Sequence, residues 1–431
     1  MLGETIRKTG FWFVDLLTGS KVRNHYKEIK KINEDIAFRR SRVDSLLKSL
    51  LEHVTSQSEF YSSYKGSLNI EDFPVVDKKL LIKNYNQILS EQFKHENVHQ
   101  MSTSGSTGTP FTVVQNINKR KRVQAELIYF GEQAGFTIGE QNTYLRVWNE
   151  NNKKSKLETF MKNLVMLDNS KLDDESLENI RKQLKNHPKL KCILGYAASL
   201  DVISRYLLNK GDSPEMFGVE VVISGAEVLE DETRDNLKKL FNCKVVSRYS
   251  NQENGVIAQE PTNETFFVVN HGSYYVEFLK IDSNEKAQIG ELARVVITDL
   301  FNYAMPMIRY DTGDYAVITE VKDYGIVIKN IEGRKIDFIY TVLGEMVSPH
   351  SITIGMKKFS SINSYQFIQN ERDDYTIKIE ALEDKVRDSK MVGTLKNILG
   401  NDAHINVEYV DEIPFTKSGK FRFIINNYHS M

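Results

Sequence analysis

Residues 191–247 constrain the fold more than any other stretch. Segments 191–196, 219–224 and 244–247 are short, apolar and β-branched. Segments 200–208 and 231–241, lying between them, carry apolar residues at helical spacing. Strands and helices alternating at this spacing predict a buried parallel sheet with crossover helices. A helix from about residue 118 is expected to bury Val123, Leu127, Phe130 and Ala134 as one stripe. Residues 256–328 read as strand-rich with Gly-containing turns, and 27–51 as helical. Near the end, strands 375–379 and 405–409 flank a helix at 391–399. The fold class is therefore α/β. A large N-terminal domain (1–332) carries parallel-rich sheets flanked by helices, and a small α+β domain (333–431) follows.

At 431 residues the chain can build two separate cores. Lys plus Arg number 57 and Asp plus Glu 58, so no global field draws nucleic acid or an anionic membrane. The basic run Lys119-Arg120-Lys121-Arg122 reads as a solvated helix face. Cys192 and Cys243 form no metal-ligand spacing and no disulfide framework, which fits a reducing cytoplasm. The run from Gly10 to Leu17 is too short to span a bilayer and contains Asp15. It lacks the shape of a secretory signal, and packing onto the body is expected. Contact with a membrane surface is the other reading.

The segment Met101-Ser102-Thr103-Ser104-Gly105-Ser106-Thr107-Gly108-Thr109-Pro110 is rich in hydroxyls and holds two glycines. Backbone N–H groups, close approach at glycine and hydroxyl donors suit a triphosphate. The Gly-Lys-Ser/Thr ending of a Walker loop is missing, which argues against that family. By itself the segment fits a phosphate cradle or a polar surface turn equally well. Four more segments follow in order: Tyr249-Ser250-Asn251-Gln252-Glu253, Arg309-Tyr310-Asp311-Thr312-Gly313-Asp314, Gly333-Arg334-Lys335-Ile336-Asp337 and Pro414-Phe415-Thr416-Lys417-Ser418-Gly419-Lys420.

This ordered set resembles the adenylate-forming superfamily of acyl-CoA synthetases and related ligases. The resemblance is greatest to the phenylacetate–CoA ligase branch with its CapK-like capsular-polysaccharide relatives, and runs from Phe73 to Arg422. It implies ATP-dependent activation of a small-molecule carboxylic acid to an acyl-adenylate, release of pyrophosphate, and acyl transfer to an acceptor. Coenzyme A is the usual acceptor of the family, and an amine or hydroxyl on a sugar is the alternative. A nucleotide-binding homologue without turnover is a third reading, against which the presence of Lys420, Glu253 and Asp314 counts. The implied cofactors are ATP, Mg²⁺ and coenzyme A. Neither a nucleic-acid partner nor an integral membrane segment is expected, and homodimers are common in the branch.

By this resemblance Lys420 is the catalytic lysine, acting on the charge that grows at phosphorus. Glu253 becomes the Mg²⁺ ligand, a role that suits a carboxylate beside phosphate oxygens and water. On local pattern alone Glu253 is a first-turn helix acid. The nucleotide would be held by Thr103, Ser104, Gly105, Ser106, Thr107, Gly108 and Thr109. Gly225, Ala226 and Glu227 would line the adenine, though the segment fits a strand-to-helix turn equally well, and Tyr249 would stack on the adenine beside Ser250. Asp314 would hold the ribose diol and Arg334 the ribose or phosphate. Trp148, Tyr196 and Tyr249 are candidate acyl-pocket walls. The chain departs from the family pattern at Ser250 (usually Gly), Gln252 (usually Thr) and Ile336 (usually an Asp or Lys pivot). Either the pivot moves to Asp337 or the rotation of the small domain is altered. Some relatives carry a Cys/His cluster after the Glu253 region. Here Glu260 is followed by Pro261 and only His271 remains, so no structural zinc is expected.

Overall fold

The computed structural model describes residues 2–103, 111–148, 150, 152–334, 338–347, 349–356, 358–359, 361–362, 364–413 and 422–428. The chain divides into two compact units, 1–312 with 317–330, and 313–316 with 331–431.

The first unit opens with α1 (Leu2–Leu17), α2 (Lys21–Glu34), α3 (Ile36–Gln57), α4 (Lys78–Lys83) and α5 (Tyr85–Ile88). The helical stretch expected over 27–51 is two helices. Asp35 ends α2 and starts α3, its carboxylate accepting from the Phe38 N–H at 2.9 Å. Strands β1 (His99–Thr103) and β2 (Phe111–Gln115) form an antiparallel hairpin, with Thr103 opposite Phe111.

Next comes the alternating region: α6 (Ile117–Ala134), β3 (Gln141–Arg146), α7 (Lys156–Lys162), β4 (Leu164–Asp168), α8 (Asp174–Asn186), β5 (Leu190–Tyr196), α9 (Ala197–Asn209), β6 (Val221–Gly225), α10 (Asp231–Phe241) and β7 (Lys244–Asn251). Two strands complete this sheet, β8 (Gly255–Gln259) and β9 (Val268–Val269). The strand order is β4-β3-β5-β6-β7-β8-β9, with β3 to β7 parallel and β8 and β9 antiparallel. One face buries Ile193, Val222 and Val245 with Leu200, Ile203 and Leu237 from α9 and α10. The other buries Cys192, Ile223 and Val246 with Ala134 of α6.

A four-stranded sheet follows, in the order β10 (Tyr274–Leu279), β11 (Leu292–Asp299), β12 (Tyr310–Val321), β13 (Gly325–Arg334). The second unit adds β14 (Ile339–Tyr340), β15 (Met346–Val347), α11 (Pro349–Met356), β16 (Ser364–Gln369), β17 (Asp374–Glu380), α12 (Lys385–Leu399), β18 (His404–Tyr409) and β19 (Ile424–Asn426). Its sheet runs β18-β17-β16-β19 and packs Phe367, Tyr375 and Ile377 against Met391, Leu395 and Leu399 of α12.

Two surface expectations are corrected. Lys119 and Arg122 are both 0 % exposed, so the basic run is not a solvated face. Lys119 Nζ lies 2.8 Å from Asp299 and 3.8 Å from Glu126. Arg122 lies 2.5 Å from Glu28 and also donates to Ser273. The buried stripe of α6 is thus partly ionic, while Leu127 of the expected apolar stripe is 47 % exposed. The second correction is α1, which rests on the body through Trp12 and Asp15 but leaves Phe13, Leu16 and Leu17 exposed.

Candidate active site

Parallel strands deliver their C-terminal ends to one edge of the sheet, and ligands bind there, at the point where the strand order reverses. Here β3 is followed by β4 on one side and β5 on the other, so the reversal lies between β3 and β5. Their last residues are Arg146 and Tyr196. In register, Tyr196 lies beside Gly225, and Gly225 beside Arg248. The expected Tyr249 and Gly225-Ala226-Glu227 segments therefore share this edge.

Glu227 follows Ala226, whose φ of 68° makes the sharp exit from β6. The Glu227 carboxylate accepts from the Ala198 N–H at 3.0 Å, in the first turn of α9. Tyr249 is buried within β7, and a bulge separates it from Ser250. Its phenol donates to the Thr312 hydroxyl at 3.3 Å, and that hydroxyl donates to the Val295 carbonyl at 2.9 Å. The sequence Thr312-Gly313-Asp314 continues along β12, with Gly313 at φ 76°. Arg309, which opens this motif, is a scaffold residue. Its guanidinium lies 2.9 Å from Glu277 and donates to the Phe73 carbonyl at 3.0 Å.

Glu253 lies in the turn between β7 and β8, and no helix follows it. The local reading as a first-turn helix acid is thereby corrected. Gly255 sits behind this turn at φ 130°, where a Cβ would come within 2.5 Å of Glu126. Glu126 also accepts from the Val256 N–H at 3.1 Å, and burial raises its pKa. The turn is thus fixed from below by a buried carboxylate. It is fixed from the side by Gln115, whose amide donates to the Glu253 carbonyl at 2.8 Å. Gln115 is the last residue of β2, so the stem of the β1–β2 hairpin is tied to the Glu253 turn. Sequence reasoning missed Gln115, whose only local signal is a polar residue ending an apolar strand.

Thr103 ends β1 and Arg334 ends β13. Ser104, Gly105, Ser106, Thr107, Gly108, Thr109, Ile336 and Lys420 lie outside the described residues, as do the side chains of Thr103 and Arg334. A second missed group is Arg146. Its guanidinium stands 5.1 Å from the Tyr144 ring centre and 5.5 Å from that of Trp148. Its Nε is buried with no hydrogen-bond partner among the described residues. Trp148 is held by its indole N–H on the Leu167 carbonyl at 3.1 Å. Burial pushes the Tyr196 phenol up to about 12. Cys192 is likewise pushed up to about 12 by burial, which makes it inert as a nucleophile.

Elsewhere, Glu260 pairs with Arg234 at 2.8 Å. A cavity of about 380 Å³ beside α2 is lined by residues including His25, Glu28, Arg42 and Tyr303, and by none of the expected site residues. Glu28 there is already engaged by Arg42 and Arg122.

Residues 339–427 match the CapK C-terminal domain family. The chain is 26% identical to protein CapK of Staphylococcus aureus, over 94% of this chain and 93% of that one. Its fold is that of 2-hydroxyisobutyryl-CoA ligase in the postadenylation state in complex with R3-HIB-AMP, with a TM-score of 0.73, 15% identity and 92% of each chain covered. It is also similar to ATP-bound MatB from Rhodopseudomonas palustris, with a TM-score of 0.54, 16% identity, and coverage of 75% of this chain and 66% of that one.

Proposed function

Taking the chain as CapK-like, with the fold of the adenylate-forming ligases, we propose that it activates a carboxylic acid with ATP. A carboxylate oxygen attacks the α-phosphorus, the bond to the bridging oxygen of the β-phosphate breaks, and pyrophosphate leaves. The acyl-adenylate then passes its acyl group to an acceptor and releases AMP. Coenzyme A is the acceptor favoured by the structural neighbours, since the similar structures include CoA ligases. The near full-length likeness to CapK favours a second reading, an amine or hydroxyl of a sugar.

The observation that carries the reading is the tie between Gln115 and the Glu253 turn, beside Tyr249 on one sheet edge. It ties the β1–β2 stem to the turn that carries Glu253, and a carboxylate there would suit a phosphate-bound cation. In this reading Tyr249 stacks on adenine, Asp314 takes the ribose diol, and residues 103–109 take the phosphates. Glu253 is partly exposed and offers hard oxygen, which fits an ion that keeps several waters. When bound, Mg²⁺ would neutralise phosphate charge. Lys420 is assigned the charge at phosphorus, and the small domain from about residue 333 is assigned the motion between the two steps. Tyr144, Arg146, Trp148 and Tyr196 would wall the acyl pocket. The unmatched Arg146 Nε favours an acid with a second polar or anionic group.

The test is pyrophosphate release over a panel of simple, hydroxy- and dicarboxylic acids, followed by a screen of acceptors. Glu253→Gln should lower adenylate formation and shift the Mg²⁺ titration to higher concentration. Loss of an outer-shell metal partner costs about 10–100-fold, and a direct ligand should cost no less. A variant with the wild-type Mg²⁺ titration would leave Glu253 with a structural role only.

A further inference from the structure

The helix α1 is inverted. Glu4, Arg7, Lys8, Trp12 and Asp15 all lie on the side that is buried or half-buried. Asp15 caps α2 from there, accepting from the N–H groups of Val22 at 3.0 Å and Arg23 at 2.9 Å. Trp12 packs edge-on against Tyr26 at 5.9 Å. The opposite side carries Leu2, Ile6, Phe13, Leu16 and Leu17, between 54% and 79% exposed, interspersed only with Thr5, Thr9, Gly3 and Gly10. No charged residue stands on it.

A second helix with exposed apolar side chains lies beside α1. Arg7 of α1 donates to the Phe160 carbonyl at 2.8 Å, and its guanidinium lies 4.9 Å from the Phe160 ring centre. This brings α7 alongside α1. On α7, Leu157 is 68% exposed, Phe160 67% and Met161 59%. The surface next to these side chains is basic. Lys153, Lys154, Lys156 and Lys162 stand on α7 and its lead-in, against Glu150 and Glu158. Glu158 is shared by Lys154 at 3.9 Å and Lys162 at 3.8 Å, which leaves Lys153 and Lys156 in excess.

We propose that α1 and α7 form an interfacial docking surface for an anionic lipid bilayer. The α1 helix would lie in the membrane plane, with Phe13, Leu17 and Phe160 in the acyl boundary and the lysines at the headgroups. An apolar patch of this extent on two neighbouring helices marks an interaction site. Apolar side chains flanked by lysines match a negatively charged surface with a hydrocarbon interior. A second copy of the chain fits less well. A two-fold contact sets the same patch against itself, so the lysine borders would face each other. No described helix is long and apolar enough to cross a membrane, and the proposed contact needs none.

The full chain should co-sediment with vesicles containing phosphatidylglycerol and not with vesicles of phosphatidylcholine alone. Added salt should weaken the binding. Phe13→Glu with Leu17→Glu, and separately Phe160→Glu on the other helix, should each weaken it at least about tenfold while circular dichroism and pyrophosphate release stay unchanged. No binding to anionic vesicles at low salt, or equal binding by wild type and both variants, overturns the proposal. So does a lipid-free dimer in sedimentation velocity that the same substitutions dissociate, which would assign the face to a second copy.

Discussion

Buried charge decides how the Glu253 turn is held, and it does so through single residues. Lys119 is completely buried, 2.8 Å from Asp299, and its ammonium also donates to the Tyr274 phenol at 3.1 Å. Tyr274 in turn donates to Glu126, which anchors Val256 behind the turn. Removing one member of such a group leaves opposite charges buried without compensation, at a cost of about 3–5 kcal/mol. Lys119→Met should therefore lower the free energy of unfolding by about that amount in denaturant titrations. A loss below about 1 kcal/mol would mean that the two carboxylates need no cation. None of this network is legible locally. Lys119 and Arg122 belong to a basic run that resembles any solvated helix, and Asp299, Tyr274 and Glu28 are distant in sequence. Arg146 was hidden for a different reason. Its interest comes from lying at the end of β3, where the strand order reverses, and strand order is a property of the folded sheet.

At the scale of elements, the alternation over 191–247 carried its own answer. The predicted helix 231–241 is α10 itself, and the three predicted strands lie within β5, β6 and β7 apart from the first two residues of 219–224. Local period suffices there because each element buries a continuous apolar face. The Asp35 break between α2 and α3 was written as an N-cap, yet the charged, periodic sequence on either side masks it. What period cannot report is how hairpins meet, and that contact matters most for the site. Gln115 is 0 % exposed, and its side chain ties the β1–β2 stem to the Glu253 carbonyl. Gln115→Leu keeps the volume and removes the donor, leaving a carbonyl short of a partner at a cost of about 1–3 kcal/mol. Part of that cost should appear as a weaker hold on nucleotide and metal. A change of 1.4 kcal/mol corresponds to about tenfold in affinity. The apparent KM for ATP and the Mg²⁺ midpoint should both rise by several-fold, up to about tenfold. Unchanged values in a folded variant would separate the hairpin from the Glu253 site.

Across the whole molecule, five motifs in fixed order carry the resemblance to the adenylate-forming ligases, and the fold of the chain is that of such a ligase. The chain crosses between its two compact units after residues 312, 316 and 330. The proposed role of Lys420 is to stabilise charge growing on the α-phosphorus during the first reaction. In acyl transfer the negative charge grows instead on the carbonyl oxygen, at a different atom, so the same lysine is not required there. Lys420→Ala should therefore slow adenylate formation by about 10²–10³-fold, or roughly 3–4 kcal/mol. A chemically supplied acyl-adenylate should still be consumed by the variant at near the wild-type rate once the acceptor is present. Single-turnover measurement of each step separates the two outcomes. Equal loss of both steps in a folded variant would make Lys420 a general binding residue, and no loss in the first step would remove it from the chemistry. The retained second step should also survive replacement of Mg²⁺ by EDTA, because no triphosphate remains to be neutralised. A second step that collapsed with chelation would place the cation, and Glu253 with it, in acyl transfer as well.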